Sequence, residues 1–111
     1  MATLSAEQQN TAITTATTTT VFAALSAVAD EARIKQGMMT IRNKGVADNT
    51  ITVQKDVSAT DYEVSEFTLA AGDEWQNPWD MVIEGTGTTV EVVTSSTSAI
   101  DVCVGFIKVV A

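Results

Sequence analysis

Short runs of alternating apolar and polar residues, each closed by a turn cluster after about eight to twelve residues, constrain this chain more than any other feature. Period two marks a strand with one buried face, because successive side chains of an extended chain point to opposite sides. "NTITVQKDV" sets Ile51 and Val53 against Thr50, Thr52 and Gln54. "YEVSEFTLAAGDE" puts Phe67 and Leu69 on one face, then turns at Ala70-Ala71-Gly72-Asp73. Met81 with Ile83, and Val90 with Val92, repeat the pattern. Ile34 and then Met39 and Ile41 alternate too, with a change of phase near Gly37 that marks a bulge. "NKGVADN", "SATD" and "STSA" are breaks. The last run, "IDVCVGFIKVV", is apolar on both sides, as a central strand or one covered by another subunit would be. About seven or eight short strands at this spacing predict an all-β fold, a small antiparallel β-sandwich of jelly-roll or Ig-like type.

The N-terminal region reads differently. "MATLSAEQQNTAITTATTTT" is small, polar and threonine-rich, with little to bury. Residues 1–16 are therefore expected to be an extended arm ordered by a partner, ahead of a single sandwich domain over 17–111. From Thr14 to Phe22 the β-branched content favours a strand. Two readings fit "VFAALSAVADEARIKQ": a helix, by propensity and the spacing of Leu25, Val28, Ala29 and Ala32, or a strand ending near Ala24, a loop through Asp30 and a new strand from Ala32.

Charge and composition exclude several functions. The chain has 111 residues and a net charge of -8. Such an acidic body does not bind nucleic acid through bulk electrostatics, which needs clustered Lys and Arg. No apolar stretch is long enough to span a membrane. The apolar run in "VFAALSAVADEA" lies too far in, with no basic residue before it, to read as a cleaved secretion signal. There is no histidine, so no Ser-His or Cys-His nucleophile can be assembled. No CxxC pair or phosphate-cradling loop with its lysine occurs. Asp48, Asn49 and Asp56 carry oxygens a calcium ion would use, but the EF-hand loop pattern is absent. The lone Cys103 sits in an apolar run and is expected to be buried and inert. The expectation is a non-enzyme with no catalytic residue, metal or cofactor.

The candidate interface residues fall in three places. Thr14 and Thr18 belong to the threonine-rich arm and its junction. Arg33, Lys35, Arg42 and Lys44 form a basic stretch, read either as a solvated strand edge or as a stripe facing an acidic neighbouring subunit. Trp75 and Trp79 flank the only proline in "WQNPW". They are read either as a cap on the end of the sandwich or as anchors plugging into a neighbour.

The order of features also resembles a recurrent small β-sandwich among virion structural proteins of tailed bacteriophages, of the capsid decoration or cement type. The matching positions are Asn43, the strand Thr50 to Val53, Leu69 with Gly72 and Asp73, Gly85 or Gly87, and Val102 to Val109, within residues 14 to 111. This chain departs from the pattern at Ala29-Asp30, where no proline stands, and at Ile83-Glu84-Gly85-Thr86, a weakened second "Leu-x-x-Gly-Asp". The resemblance implies adhesion to major capsid protein or other virion subunits at the capsid surface, after synthesis in a host cytoplasm. It also implies a homo-oligomer, a trimer by analogy, with neither nucleic acid nor membrane as a partner. Alternatives are a neck, tail or fibre-attachment component, and a soluble carbohydrate- or ligand-binding module, which would expose both tryptophans.

Overall fold

The computed structural model describes residues 3–110. Ten strands follow one another: β1 (Thr3–Ile13), β2 (Thr18–Phe22), β3 (Glu31–Ile34), β4 (Met39–Asn43), β5 (Asn49–Val57), β6 (Thr60–Leu69), β7 (Glu74–Gln76), β8 (Met81–Glu84), β9 (Thr88–Thr94) and β10 (Ile100–Val110). Every pairing is antiparallel. One sheet runs β2-β9-β5-β6. In the other, β10 pairs β1 along one side and both β4 and β3 along the opposite side, with β7 outside β4 and β8 outside β3. Taking β3/β4 and β7/β8 as two interrupted strands gives a jelly roll of two four-stranded sheets. The expected antiparallel sandwich is what forms.

The alternating residues supply the core. Ile51 and Val53 of β5, Val90 and Val92 of β9, Ile34, Met39, Ile41, Ile83 and Phe22 are fully buried. Phe22 and Phe106 meet edge to face with centroids 4.9 Å apart, joining the two sheets.

Two departures from expectation and one resolved alternative have clear causes. First, Thr3–Ile13 is a strand within the sheet rather than an unpaired arm: it pairs with β10 of its own chain, from Thr3 opposite Val110 to Ile13 opposite Ile100. The next strand therefore starts at Thr18, not Thr14. Second, the open choice over residues 20–36 falls to strand-loop-strand rather than helix: a loop from Ala23 to Asp30 joins β2 to β3. Third, two strands are split at the same level of the sheet. Gly37, with φ 81°, lies in one interruption, and buried Asn77 lies in the other. The Asn77 side chain accepts from Met39 N at 2.8 Å and donates to Lys35 O and Trp79 O, while its backbone bonds Met39 O and Gly37 N. It thus replaces the missing ladder, and Pro78 beside it has no N–H to offer one.

Buried Asn43 and Asn49 do the same work at the other end. Asn43 donates to Ala47 O and Leu69 O and accepts from Gly45 N and Ser98 Oγ. Asn49 donates to Ser96 O and Ser98 O and accepts from Ser95 N and Ser96 N. Gly45 is obligatory in this packing, since a Cβ there would lie 1.9 Å from Ser98 Oγ and 2.7 Å from Ala99 N.

Candidate interaction surface

The outer face of the β1/β10 sheet joins an apolar stripe to an open groove. β10 buries Ile100, Val102, Val104 and Phe106 and turns Asp101, Cys103, Gly105, Ile107 and Val109 outward. β1 sets Ala12, Asn10, Gln8, Ala6 and Leu4 opposite those five. At one end this makes an apolar stripe, with Leu4 66% exposed. At the other end lies an open groove of about 550 Å³ across β1, β10, β4 and β7, lined by Asn10, Cys103, Asp101, Arg42 and Glu74 among others. Cys103 is therefore half-buried on the groove floor rather than in the core. β10 is central within its sheet, but among the described residues no second layer covers its outward side.

The four basic residues do not make one stripe. Arg33 stands opposite Ile107 and Arg42 opposite Asp101, six residues apart along β10. Arg33 pairs with Glu31, Lys44 with Asp101 at 3.0 Å, and Lys35 approaches Asp80 at 4.0 Å. Among the described residues Arg42 makes no ion pair, but its register neighbours are Asp101 on one side and Glu74 on the other. The chain's own acids thus largely offset these cations. Thr14 is exposed at the corner after β1, and Thr18 is exposed at the start of β2, opposite Val93.

The outer face of the other sheet is acidic. One residue, Val64, is extra in the β5–β6 ladder, because Val53 faces Ser65 while Gln54 faces Glu63. This bulge brings Glu63 and Glu66 to the same face despite their odd spacing. The Glu63 carboxyl is held above its ordinary range, first by a side-chain hydrogen bond with Glu66, then by the charge of Glu66, and least by burial. Asp56, Asp61 and Glu91 each place an oxygen within 4.8 Å of the others. The three oxygen-bearing residues suggested by sequence do not meet: Asn49 and Asp56 lie at opposite ends of β5, and the Asn49 amide is fully bonded inside.

Both tryptophans are half-buried and packed against the core. Trp75 of β7 stacks on Phe67 of β6 at 4.5 Å, closing one side of the sandwich between the sheets. Trp79 tilts against Trp75 at 6.3 Å and donates its Nε1–H to Ser65 Oγ at 2.9 Å. The pair is engaged with its own chain and does not form the exposed platform that a sugar-binding module would need.

No family model matches the chain, and no curated protein matches it in sequence. Solved structures do match in fold. A subunit of the Bacillus endospore appendages, described as disulfide-linked pili, superposes with a TM-score of 0.58 at 13% identity, covering 97% of this chain and 88% of that one. A chain of the infectious bursal disease virus Gx strain gives a TM-score of 0.52 at 15% identity, covering 97% of this chain and 32% of that one. A chain of the T13 particle of the same virus gives 0.50 at 16% identity, over 96% and 30%. This chain thus spans about a third of the viral chains and most of the pilus subunit. The likeness is one of fold.

Sequence reasoning missed the strand that matters most to this surface. β1 has no alternation of hydrophobicity to announce it, and its partner lies at the other end of the chain. The available signal was the two-sided apolar character of β10, which marked it as a central strand and so as one with neighbours to find.

Proposed function

We propose that this chain is a virion structural protein that decorates or cements a phage capsid by non-catalytic adhesion to major capsid subunits. The observation that carries this reading is β1, an eleven-residue strand at the margin of a jelly roll, paired on one side only and carrying a single charge, Glu7. Such an edge offers unpaired backbone groups to a neighbour, and strand addition is a common adhesive mode. The fold shared with the viral chains supports the same reading. Many symmetric copies would multiply weak contacts into firm attachment. The adjoining apolar stripe at Leu4, Ala6, Ile107 and Val109 adds area that a partner can cover.

Quantitative mass spectrometry of purified particles tests this by comparing the chain's copy number with that of the major shell subunit. Near parity is the expected result. A small fraction of the shell copy number would move the chain to the neck, tail or fibre attachment. Absence from particles would overturn the virion reading.

The match over 88% of the endospore appendage subunit favours a second reading, a pilus-like filament subunit. Filaments formed by the purified chain, seen by electron microscopy, together with absence from particles, would select it.

A further inference from the structure

β1 is a complete strand that the core of its own chain barely holds. All its residues have a register partner on β10. Yet only Ile13 is buried; Ser5, Gln9 and Thr11 are half-buried, and the remaining seven are exposed. One side-chain bond ties the strand elsewhere, Gln9 Oε1 accepting from Ala23 N at 2.9 Å. The corner that follows is pinned instead. Thr94 Oγ1 donates to Thr15 O at 2.7 Å and accepts from Thr17 N at 3.2 Å, and Thr94 N donates to Thr17 O at 2.9 Å. The chain can therefore swing at Thr14 with β2 left in place, Ile13 being the one core side chain that leaves with the strand.

We propose that β1 is exchanged between copies of this chain, the β1 of one copy lying on β10 of another in place of that copy's own strand. The occupant follows from the register. The pairings from Thr3–Val110 to Ile13–Ile100 are complementary within one chain, so a second copy reproduces every one of them. Release exposes little, because one buried side chain leaves with the strand. Charge points the same way. The chain as a whole carries -8, which opposes close approach of two copies, but β1 carries only Glu7. The hinge contains no glycine or proline, and its threonines favour extended backbone, so an opened arm projects rather than collapses. A strand's own chain presents it to β10 at roughly millimolar effective concentration, so exchange belongs to crowded copies, as on an assembled surface. This goes beyond the adhesive reading, since exchange links copies of this chain to one another and leaves the outer edge of β1 free for a different neighbour. Its test uses the purified chain, so its failure is separable from that of the particle assignment.

The lone cysteine makes the test possible. Asn10 stands directly opposite Cys103 on the outer face. Opposed Cα atoms in antiparallel strands lie about 4.5–5.5 Å apart, within disulfide reach. The double variant Asn10→Cys/Cys103→Ala has no partner thiol in its own chain. It is mixed with the unaltered chain at about 1 mM protein and oxidised in air, and the mixed disulfide to Cys103 is measured by non-reducing electrophoresis and peptide mapping. Gln8→Cys/Cys103→Ala serves as the collisional control, since residue 8 faces Gly105 instead. Exchange predicts a mixed-disulfide yield at least about ten-fold above that control. Equal yields, or none, would overturn the proposal. The single variant Asn10→Cys, oxidised when dilute, should close an intrachain link and so show that these substitutions leave the β1–β10 register intact.

Discussion

β1 and β6 are the long edge strands of the two sheets, with 11 and 10 residues, and each is paired along nearly its whole length to one neighbour. Their side chains treat them oppositely. β6 buries Leu69, packs Val64 and Phe67 against the core, and holds Trp79 through Ser65. β1 buries Ile13 alone. β6 is also bulged and carries Asp61, Glu63 and Glu66, devices that discourage edge-to-edge pairing. β1 has an unbroken register and one charge. Backbone pairing is therefore similar, while anchorage and edge protection are not. Because hydrogen bonding to water largely offsets the net gain from a ladder, the side chains decide which strand can leave.

The largest expected contrast is in stability. Leu69→Ala should lower the unfolding free energy by about 3 kcal/mol, since Leu69 is only 5% exposed and the cavity left behind adds to the lost transfer energy. Leu4→Ala, at a position 66% exposed, should change it by less than about 0.5 kcal/mol. Denaturant titration of both variants measures the pair. A comparable loss at Leu4 would mean that β1 is anchored by contacts beyond its pairing with β10.

Opening of the strands separately is the next effect. Amides of β1 before Ile13 should exchange with solvent at least about 100-fold faster than those of β5, which is paired on both sides. Native-state hydrogen exchange at fixed pH reads this directly. Equal protection would show that β1 opens only with the whole molecule, and the contrast between the two edges would collapse.

The same contrast explains what could be read in the sequence. Ile51, Val53, Val90, Val92, Met81 and Ile83 were legible because a strand with one buried face must alternate. Gly72 was legible as a turn, and it adopts φ 83°. β1 was not, because a strand held by backbone alone imposes no pattern on its side chains. The buried roles of Asn43, Asn49 and Asn77 were not legible, since an asparagine that patches broken ladders inside looks the same in sequence as one in solvent. The basic residues looked like one cluster because they are close along the chain, but β3 and β4 meet different parts of β10. The Ser58-Ala59 turn gave no glycine signal, yet both residues sit at positive φ, 50° and 69°, with Asp56 Oδ1 accepting from Ala59 N.

A smaller effect tests how β6 is held. Ser65→Ala removes the acceptor of Trp79 Nε1, 2.9 Å away, and should cost about 1 kcal/mol. The tryptophan emission should shift to the red as the indole loosens. Unchanged emission and stability would show that stacking through Phe67 and Trp75, rather than this bond, closes the sandwich at β6.

The smallest effect concerns the acidic guard on β6. Glu63 binds its proton more tightly in the folded chain than an ordinary carboxylate, chiefly through Glu66. The folded state is thus favoured when Glu63 is protonated. That contribution is full below the ordinary carboxylate range and is lost as pH rises through the raised value. Glu63→Gln removes the ionised form and should raise the midpoint of thermal unfolding at neutral pH by no more than about 2 °C, because the site is open to solvent. Below the carboxylate range the variant and the unaltered chain should melt together. Thermal scans across that interval distinguish repulsion from packing. A gain that persists at low pH would come from a better-fitting side chain, and Glu63 would then no longer count as a charge that keeps other strands off β6.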